Sequence, residues 1–157
     1  MGILNGVEMT LSYILHSVFR LIQIIMALAV CGLYGVDLNK ADKEHKYSDG
    51  KWVYAEVTAS LSAFLALLYL IPFTSRIPFA WVCDTVLFIL WIALFGLFGN
   101  MYIKTRAEGD AGIQRMKNAV WVDLVNALLW LISAVGMLLF WVRHRNNRSR
   151  WTGRAQV

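Results

Sequence analysis

The sequence predicts an all-α integral membrane protein built as an up-and-down bundle of four transmembrane helices. Apolar segments cover most of the 157 residues, at about residues 11 to 36, 52 to 72, 79 to 103 and 119 to 142. Each segment is as long as the ~17 to 25 residues that cross a bilayer as a helix. Hydrophobic residues make up 59% of the chain. A soluble domain of this size could not bury so many apolar side chains away from its surface. One four-span domain, residues 1 to 157, accounts for the chain.

The first span has a polar face that we expect to point into the bundle. Its members recur every three or four residues, as one side of a helix does: His16, Arg20, Gln23, Ala27 and Cys31. Arg20 lies well inside the span, where a charge costs at least ~2.5 kcal/mol and usually has a partner or a function. We therefore expect an acidic partner from another span.

The second span carries alanines at four-residue spacing, Ala55, Ala59 and Ala63. In a membrane no hydrophobic effect drives helices together, and small residues let their backbones approach closely. This alanine ladder therefore predicts a helix-packing face.

The third and fourth spans each begin a packed stripe with an acid. The stripes are Asp84, Phe88, Trp91 and Phe95 in span three, and Asp123, Asn126, Trp130, Ser133 and Met137 in span four. In an up-and-down bundle Asp84 lies close enough to the depth of Arg20 for long side chains to meet. We predict a buried ion pair between Arg20 and Asp84, with His16 as an alternative contact for Asp84.

Glu56 and Asp123 form a second group, since each lies four residues inside a span boundary at the same end of the bundle. Two acids at one depth could form a proton or cation site. The alternative is that each carboxylate reaches toward water, with Lys51 or Lys117 nearby. Their shallow position favours this alternative.

Charges at the C-terminal end bear on orientation. The basic tail, residues 143 to 157, carries five arginines and no acid, which favours the cytoplasm by the positive-inside rule. The loops on the other side carry eight lysines and arginines, so charge counting alone leaves the orientation open. The tail also suits contact with anionic lipid, although a simple stop-transfer flank explains it equally well. The residues expected at such a lipid contact are Arg143, Arg145, Arg148, Arg150 and Trp151.

Three segments of the chain resemble fungal MARVEL-domain proteins. They are VCGLYGVD at residues 30 to 37, the stretch from FAW to FILWIALFG at residues 79 to 96, and NAVWVDLVN at residues 118 to 126. The similarity extends over essentially the full chain, including TGRA at residues 152 to 155. The resemblance implies four spans with both termini cytoplasmic, and roles in membrane apposition, sterol- or sphingolipid-rich microdomains, vesicle trafficking and plasma-membrane organisation. It brings no catalytic residues.

The favoured function is a non-enzymatic membrane organiser that self-associates and recruits sterol, sphingolipid or anionic lipid, at the plasma membrane or on trafficking vesicles. The alternative is a small transporter or channel that uses Arg20, Glu56 and Asp123. An enzyme is least supported, because the sequence shows no catalytic constellation, metal-ligand cluster or cofactor motif. The net charge of +5 does not require a nucleic-acid partner.

The tail gives a first testable prediction. Replacing Arg145, Arg148, Arg150 and Arg154 with Gln is expected to weaken association with phosphatidylserine or phosphoinositides and to make the remaining binding less salt-sensitive. Arg143 is kept to preserve topology, and protease accessibility of the termini checks it. Liposome flotation at low and high salt measures the binding, and imaging of the labelled protein measures lateral clustering. Unchanged lipid retention and clustering would reduce the tail to a topology signal.

Overall fold

The computed structural model is a bundle of four α-helices, as the sequence predicts. It describes residues 2 to 43, 50 to 71, 80 to 106 and 108 to 152, with only the backbone described at 2 to 13, 41 to 42 and 144 to 152. The helices are α1 (Gly2–Lys43), α2 (Gly50–Leu70), α3 (Ala80–Tyr102) and α4 (Ala111–Thr152). All four are long and apolar enough to cross a membrane, over Ile14–Lys40, Gly50–Leu70, Ala80–Tyr102 and Ala111–Arg143.

The first and last helices of the chain, α1 and α4, are longer than the predicted spans. Each has 42 residues, or about 63 Å at 1.5 Å per residue, twice the ~30 Å of a hydrocarbon core. Hydropathy detects only the apolar part of a helix, whereas backbone hydrogen bonding continues through polar residues where no proline interrupts it. Both prolines of the chain, Pro72 and Pro78, lie between α2 and α3. The predicted ends of spans two and three, at residues 72 and 79, lie outside the described residues.

The helix α4 begins eight residues before the predicted span boundary at residue 119. The backbone N–H of Gly112 donates to Asp110 Oδ1 at 2.7 Å, so Asp110 caps a helix that begins at Ala111. Arg115 and Lys117, expected in a loop, therefore lie in the first turns of α4. The connection before it contains Gly109 with φ of 91° and Glu108 with φ of 40°, backbone conformations that form a tight turn.

Neighbouring helices alternate in direction. Tyr34, late in α1, contacts Asp123, early in α4, and Tyr69 at the end of α2 contacts Ala80 at the start of α3. The most extensive contacts join α3 to α4 and α1 to α2. We call the end where α1 begins, α2 meets α3 and α4 finishes the terminal end, and the other end, where α1 leads to α2 and α3 to α4, the hairpin end.

The inner faces form one core that runs along the bundle. Arg20, Gln23 and Ala27 of the predicted α1 face are buried, whereas His16 and Cys31 lie at its edge. Steps of four residues alone drift around a helix of 3.6 residues per turn, so the buried set of α1 alternates steps of three and four residues. The further buried members are Val30 and Tyr34 in α1 and Leu87, Leu94 and Phe98 in α3. Phe88, Phe95 and Met137 of the predicted stripes are only partly buried.

The outer surface is apolar on every helix. The exposed fraction reaches 69% for Leu15 on α1, 60% for Phe64 on α2, 54% for Ile89 on α3 and 60% for Ile132 on α4. Soluble proteins rarely expose contiguous apolar surface on this scale. This exterior suits hydrocarbon as the surrounding solvent.

The alanine ladder of α2 lies on its packed side. Ala55 and Ala59 are fully buried and Ala63 is partly buried against the core. The main partner of α2 is α1, with which it shares one of the two large helix contacts of the bundle. Small side chains on this face let the two backbones approach each other.

Enlarging the ladder is expected to destabilise the bundle. Ala59→Leu adds three carbons to a fully packed position and should cost about 1 to 3 kcal/mol by overpacking. The matched control is Ala93→Leu, the same change at an exposed position of α3, which should be nearly silent. Thermal melts in one mild detergent compare the two variants. Equal melting temperatures would contradict the packing role of the ladder.

Candidate functional site

Arg20 lies inside the bundle near the terminal end, with its side chain 1% exposed. Its Nη2 is 3.3 Å from Oδ2 of Asp84 on α3, the helix across the bundle from α1. Its Nη1 donates to Gln23 Oε1 at 2.8 Å, one turn along α1. The two charges that the sequence analysis pairs therefore form an ion pair in the structure.

Aromatic rings complete the surroundings of the Arg20 guanidinium. The Arg20 Cζ atom lies 4.3 Å from the ring centroid of Tyr69 on α2 and 5.7 Å from that of Trp130 on α4. Cation–π contacts of this kind are worth ~0.5 to 2 kcal/mol, the larger values where water is excluded. Arg20 thus contacts a side chain on each of the other three helices.

Asp84 and Gln23 extend this polar network. Ser133 of α4 donates a hydrogen bond to the same Asp84 oxygen that Arg20 contacts, and Gln23 Nε2 donates to the Leu129 carbonyl at 3.4 Å. Every side chain in this group is at most 7% exposed. We call Arg20, Gln23, Asp84 and Ser133 the central polar network.

His16, the alternative contact considered for Asp84, is half-buried at the edge of α1, and it is Arg20 that forms the ion pair with Asp84. His16 Nε2 is buried with no hydrogen-bond partner among the described residues.

Asp123 corrects the expectation that both acids at the hairpin end reach toward water. It is fully buried, and Tyr34 Oη donates to its Oδ2 at 2.6 Å. Asp123 shares the inner face of α4 with Val120, Ala127 and Trp130, all fully buried, so its direction and not its depth keeps it from water. Its Oδ1 has no hydrogen-bond partner in the described part of the chain.

Glu56 is placed differently from Asp123. It is partly exposed on α2, and its Oε1 lies against α1, where a Cβ built on Gly35 would come within 3.1 Å of it. Glu56 therefore packs against Gly35 of α1, whereas Asp123 bonds Tyr34. The two acids share an end of the bundle and engage different groups there.

Several polar partners were missed by the sequence analysis. Tyr34 lies seven residues beyond Ala27 and so shares its face, which is the signal that could have placed it inside the bundle. Arg115 forms a partly buried ion pair with Asp37 at the hairpin end. That pair could not be predicted while Arg115 was placed in a loop.

The hairpin end also carries an aromatic cluster of four rings, Tyr34, Trp52, Phe98 and Tyr102. Their contacting centroids are 4.6 to 6.5 Å apart. Beside the cluster is an open cleft of about 250 Å³. Its lining residues are Asp37, Trp52, Tyr102, Asp110, Gly112, Ile113 and Met116.

The remaining predicted site lies in the tail. Arg143 is exposed at the terminal end, and the α4 backbone continues as a helix to Thr152. The side chains of Arg145, Arg148, Arg150 and Trp151, and the whole of Arg154, lie outside the described residues. For metals, no group of three or more His, Cys, Asp or Glu side chains within the described ranges could hold an ion.

Comparisons of the chain with protein-family models, with curated proteins and with solved structures find no match. Interpretation of the central polar network and of the hairpin-end cleft therefore rests on their geometry.

Removing one charge of the Arg20–Asp84 ion pair is expected to destabilise the bundle more than removing both charges. Arg20→Met strands the Asp84 carboxylate, and Asp84→Leu strands the guanidinium, each at about 3 to 5 kcal/mol. The double variant should cost clearly less than the sum of the single variants, because neither charge is left unpaired. Thermal or denaturant unfolding in one detergent measures the cycle. Strictly additive effects would show that the two charges do not interact.

Proposed function

We propose that this chain is an integral membrane protein that organises lipids, associates with copies of itself and has no enzymatic activity. The observation that carries the proposal is the difference between the side chains inside the bundle and those on its outer surface. Inside, ionisable groups hold the helices to one another, while outside, large apolar side chains cover all four helices.

The interior supports a structural use of the charges. Arg20 is engaged by Asp84, Gln23 and two aromatic rings, and Asp84 also accepts from Ser133. A transported substrate needs polar groups that it can reach from water. These groups are almost fully buried and bonded to each other, which favours a closed bundle.

The exterior supports interaction within the plane of the membrane. The connections between the helices are short, so lipid and other membrane proteins are the surroundings that the apolar faces meet. Self-association and lipid recruitment are the activities available to such a surface. The resemblance to fungal MARVEL-domain proteins suggests the same activities, with both termini in the cytoplasm and a location at the plasma membrane or on trafficking vesicles.

A second candidate function, a small transporter or channel, is favoured by one observation. Asp123 is a fully buried carboxylate in a membrane-spanning helix, and its Oδ1 has no partner among the described groups. Buried acids in such helices often mark proton or ion pathways. Asn126, one turn along α4, is also fully buried and has an unpartnered Oδ1 within the described residues.

One set of measurements separates the two candidates. The protein is purified in a native lipid particle, and its subunit number and retained lipids are determined by native mass spectrometry. The organiser predicts an oligomer with bound lipid, and proteoliposomes with no more proton or potassium flux than protein-free vesicles. Flux that Asp123→Asn abolishes would support the transporter instead. A lipid-free monomer would contradict the organiser.

A further inference from the structure

The cleft at the hairpin end has contributions from all four helices or their flanks. Asp37 comes from α1, Trp52 from α2, Tyr102 from α3 and Met116 from α4. Its volume of about 250 Å³ is below the ~300 to 1,000 Å³ of pockets that enclose drug-sized ligands. The cleft therefore has the size for one small group and not for a whole lipid.

Two aromatic residues line this cleft at an angle to each other. The ring centroids of Trp52 and Tyr102 are 6.5 Å apart, and their planes differ by 60°. Phe98 and Tyr34 pack on Trp52 at 5.2 and 5.8 Å and hold its indole in place. Fixed, angled aromatic surfaces are the arrangement that binds quaternary ammonium groups through cation–π attraction.

The charge of the cleft favours a cation. Asp37 and Asp110 line it, and Arg115 offsets one of these two negative charges through its ion pair with Asp37. The Asp37 Oδ2 atom is buried, with no hydrogen-bond partner among the described residues. This atom contributes charge but no accessible acceptor, which leaves the exposed Asp110 as the acid of the cleft that a cation can approach.

The cleft also lies at the ends of the candidate spans, which in a bilayer crossed by these helices is close to the lipid headgroups. Tyr102 is the last residue of the third candidate span, Asp37 lies in the last turn of the first, and Trp52 lies in the first turn of the second. Trp and Tyr are enriched at this level, where apolar and polar surroundings meet. A group bound here can belong to a lipid whose chains run along the bundle.

We propose that this cleft binds a quaternary ammonium group, with Trp52 and Tyr102 against the cation and Asp110 supplying negative charge. The favoured source is the choline headgroup of a membrane lipid. This inference rests on the proposed function, which places the chain in a membrane, and it adds the class of headgroup that is bound. Met116 and Ile113 give the cleft apolar surface that tolerates methyl groups on nitrogen.

Electron paramagnetic resonance tests the proposal with spin-labelled phosphatidylcholine and phosphatidylethanolamine of identical acyl chains. The full chain is reconstituted in phosphatidylglycerol vesicles, which contain no choline lipid. We expect the choline lipid to be retained about two- to fivefold more strongly, the effect of one exposed cation–π contact. Titration with tetramethylammonium should release it. Binding of soluble phosphocholine without any preference for the choline lipid would assign the site to a free solute. Equal retention of both lipids, with no effect of tetramethylammonium, would overturn the proposal.

Two substitutions with matched controls locate the binding. Asp110→Asn removes the charge but keeps an oxygen that can cap α4, and Trp52→Leu removes the indole. Trp52→Leu should abolish the preference for choline, and Asp110→Asn should weaken retention of the choline lipid, because both labelled headgroups carry the same positive charge. The controls are Glu108→Gln, an exposed acid of the same connection that does not line the cleft, and Trp81→Leu at the terminal end, where Trp81 packs on Trp141. Both controls should keep the preference.

The melting temperature of each variant in detergent shows whether it folds. If Trp52→Leu does not fold, Asp110→Asn still tests the site. Retention of the choline lipid that survives Asp110→Asn unchanged would overturn the site. Subunit number and total retained lipid are measured on the same samples. If the unmodified protein forms lipid-bound oligomers without preferring choline, the choline site is disproved and the proposed function is not. A lipid-free monomer contradicts the proposed function.

Discussion

The desolvated guanidinium of Arg20 is the constraint around which this bundle is arranged. A permanent charge among apolar helices is costly, and Arg cannot lose its proton to relieve that cost. In the structure the guanidinium contacts a carboxylate, an amide and two aromatic rings, each from a different one of the four helices. Because each helix contributes a partner, sliding or rotating any of them would leave Arg20 less well paired. The ion pair therefore specifies how the helices are aligned, while the alanines of α2 let α1 and α2 approach closely.

The two ends of the bundle use different chemistry. The terminal end holds the central polar network, closed to solvent and bonded to itself. The hairpin end holds an aromatic cluster, the Asp37–Arg115 ion pair and an open cleft. A closed network maintains a shape, whereas an open cleft can meet a ligand. This asymmetry supports our proposal that the chain contacts lipids and copies of itself.

Several features of the site followed from the sequence because they depend on helical periodicity and on depth. The pairing of Arg20 with Asp84 needed only the positions of two charges along spans of alternating direction. The burial of Asp123 was wrongly predicted, because its position near the end of a span was given more weight than its place on the inner face of α4. Asp110 caps α4 at Ala111, eight residues before the predicted span boundary at residue 119. Arg115 therefore lies in the first turns of α4, which is why its ion pair with Asp37 was not expected.

The sequence by itself determined four apolar helices, the small-residue face of α2 and the need for Arg20 to find an acid. Each of these is a local consequence of side-chain polarity and of 3.6 residues per turn. Only the tertiary structure decided that Tyr69 and Trp130 cover the guanidinium, that Tyr34 bonds Asp123, and that Trp52 and Tyr102 line a cleft with two acids. Such contacts depend on the rotation and offset of separate helices, which packing sets and no single helix encodes.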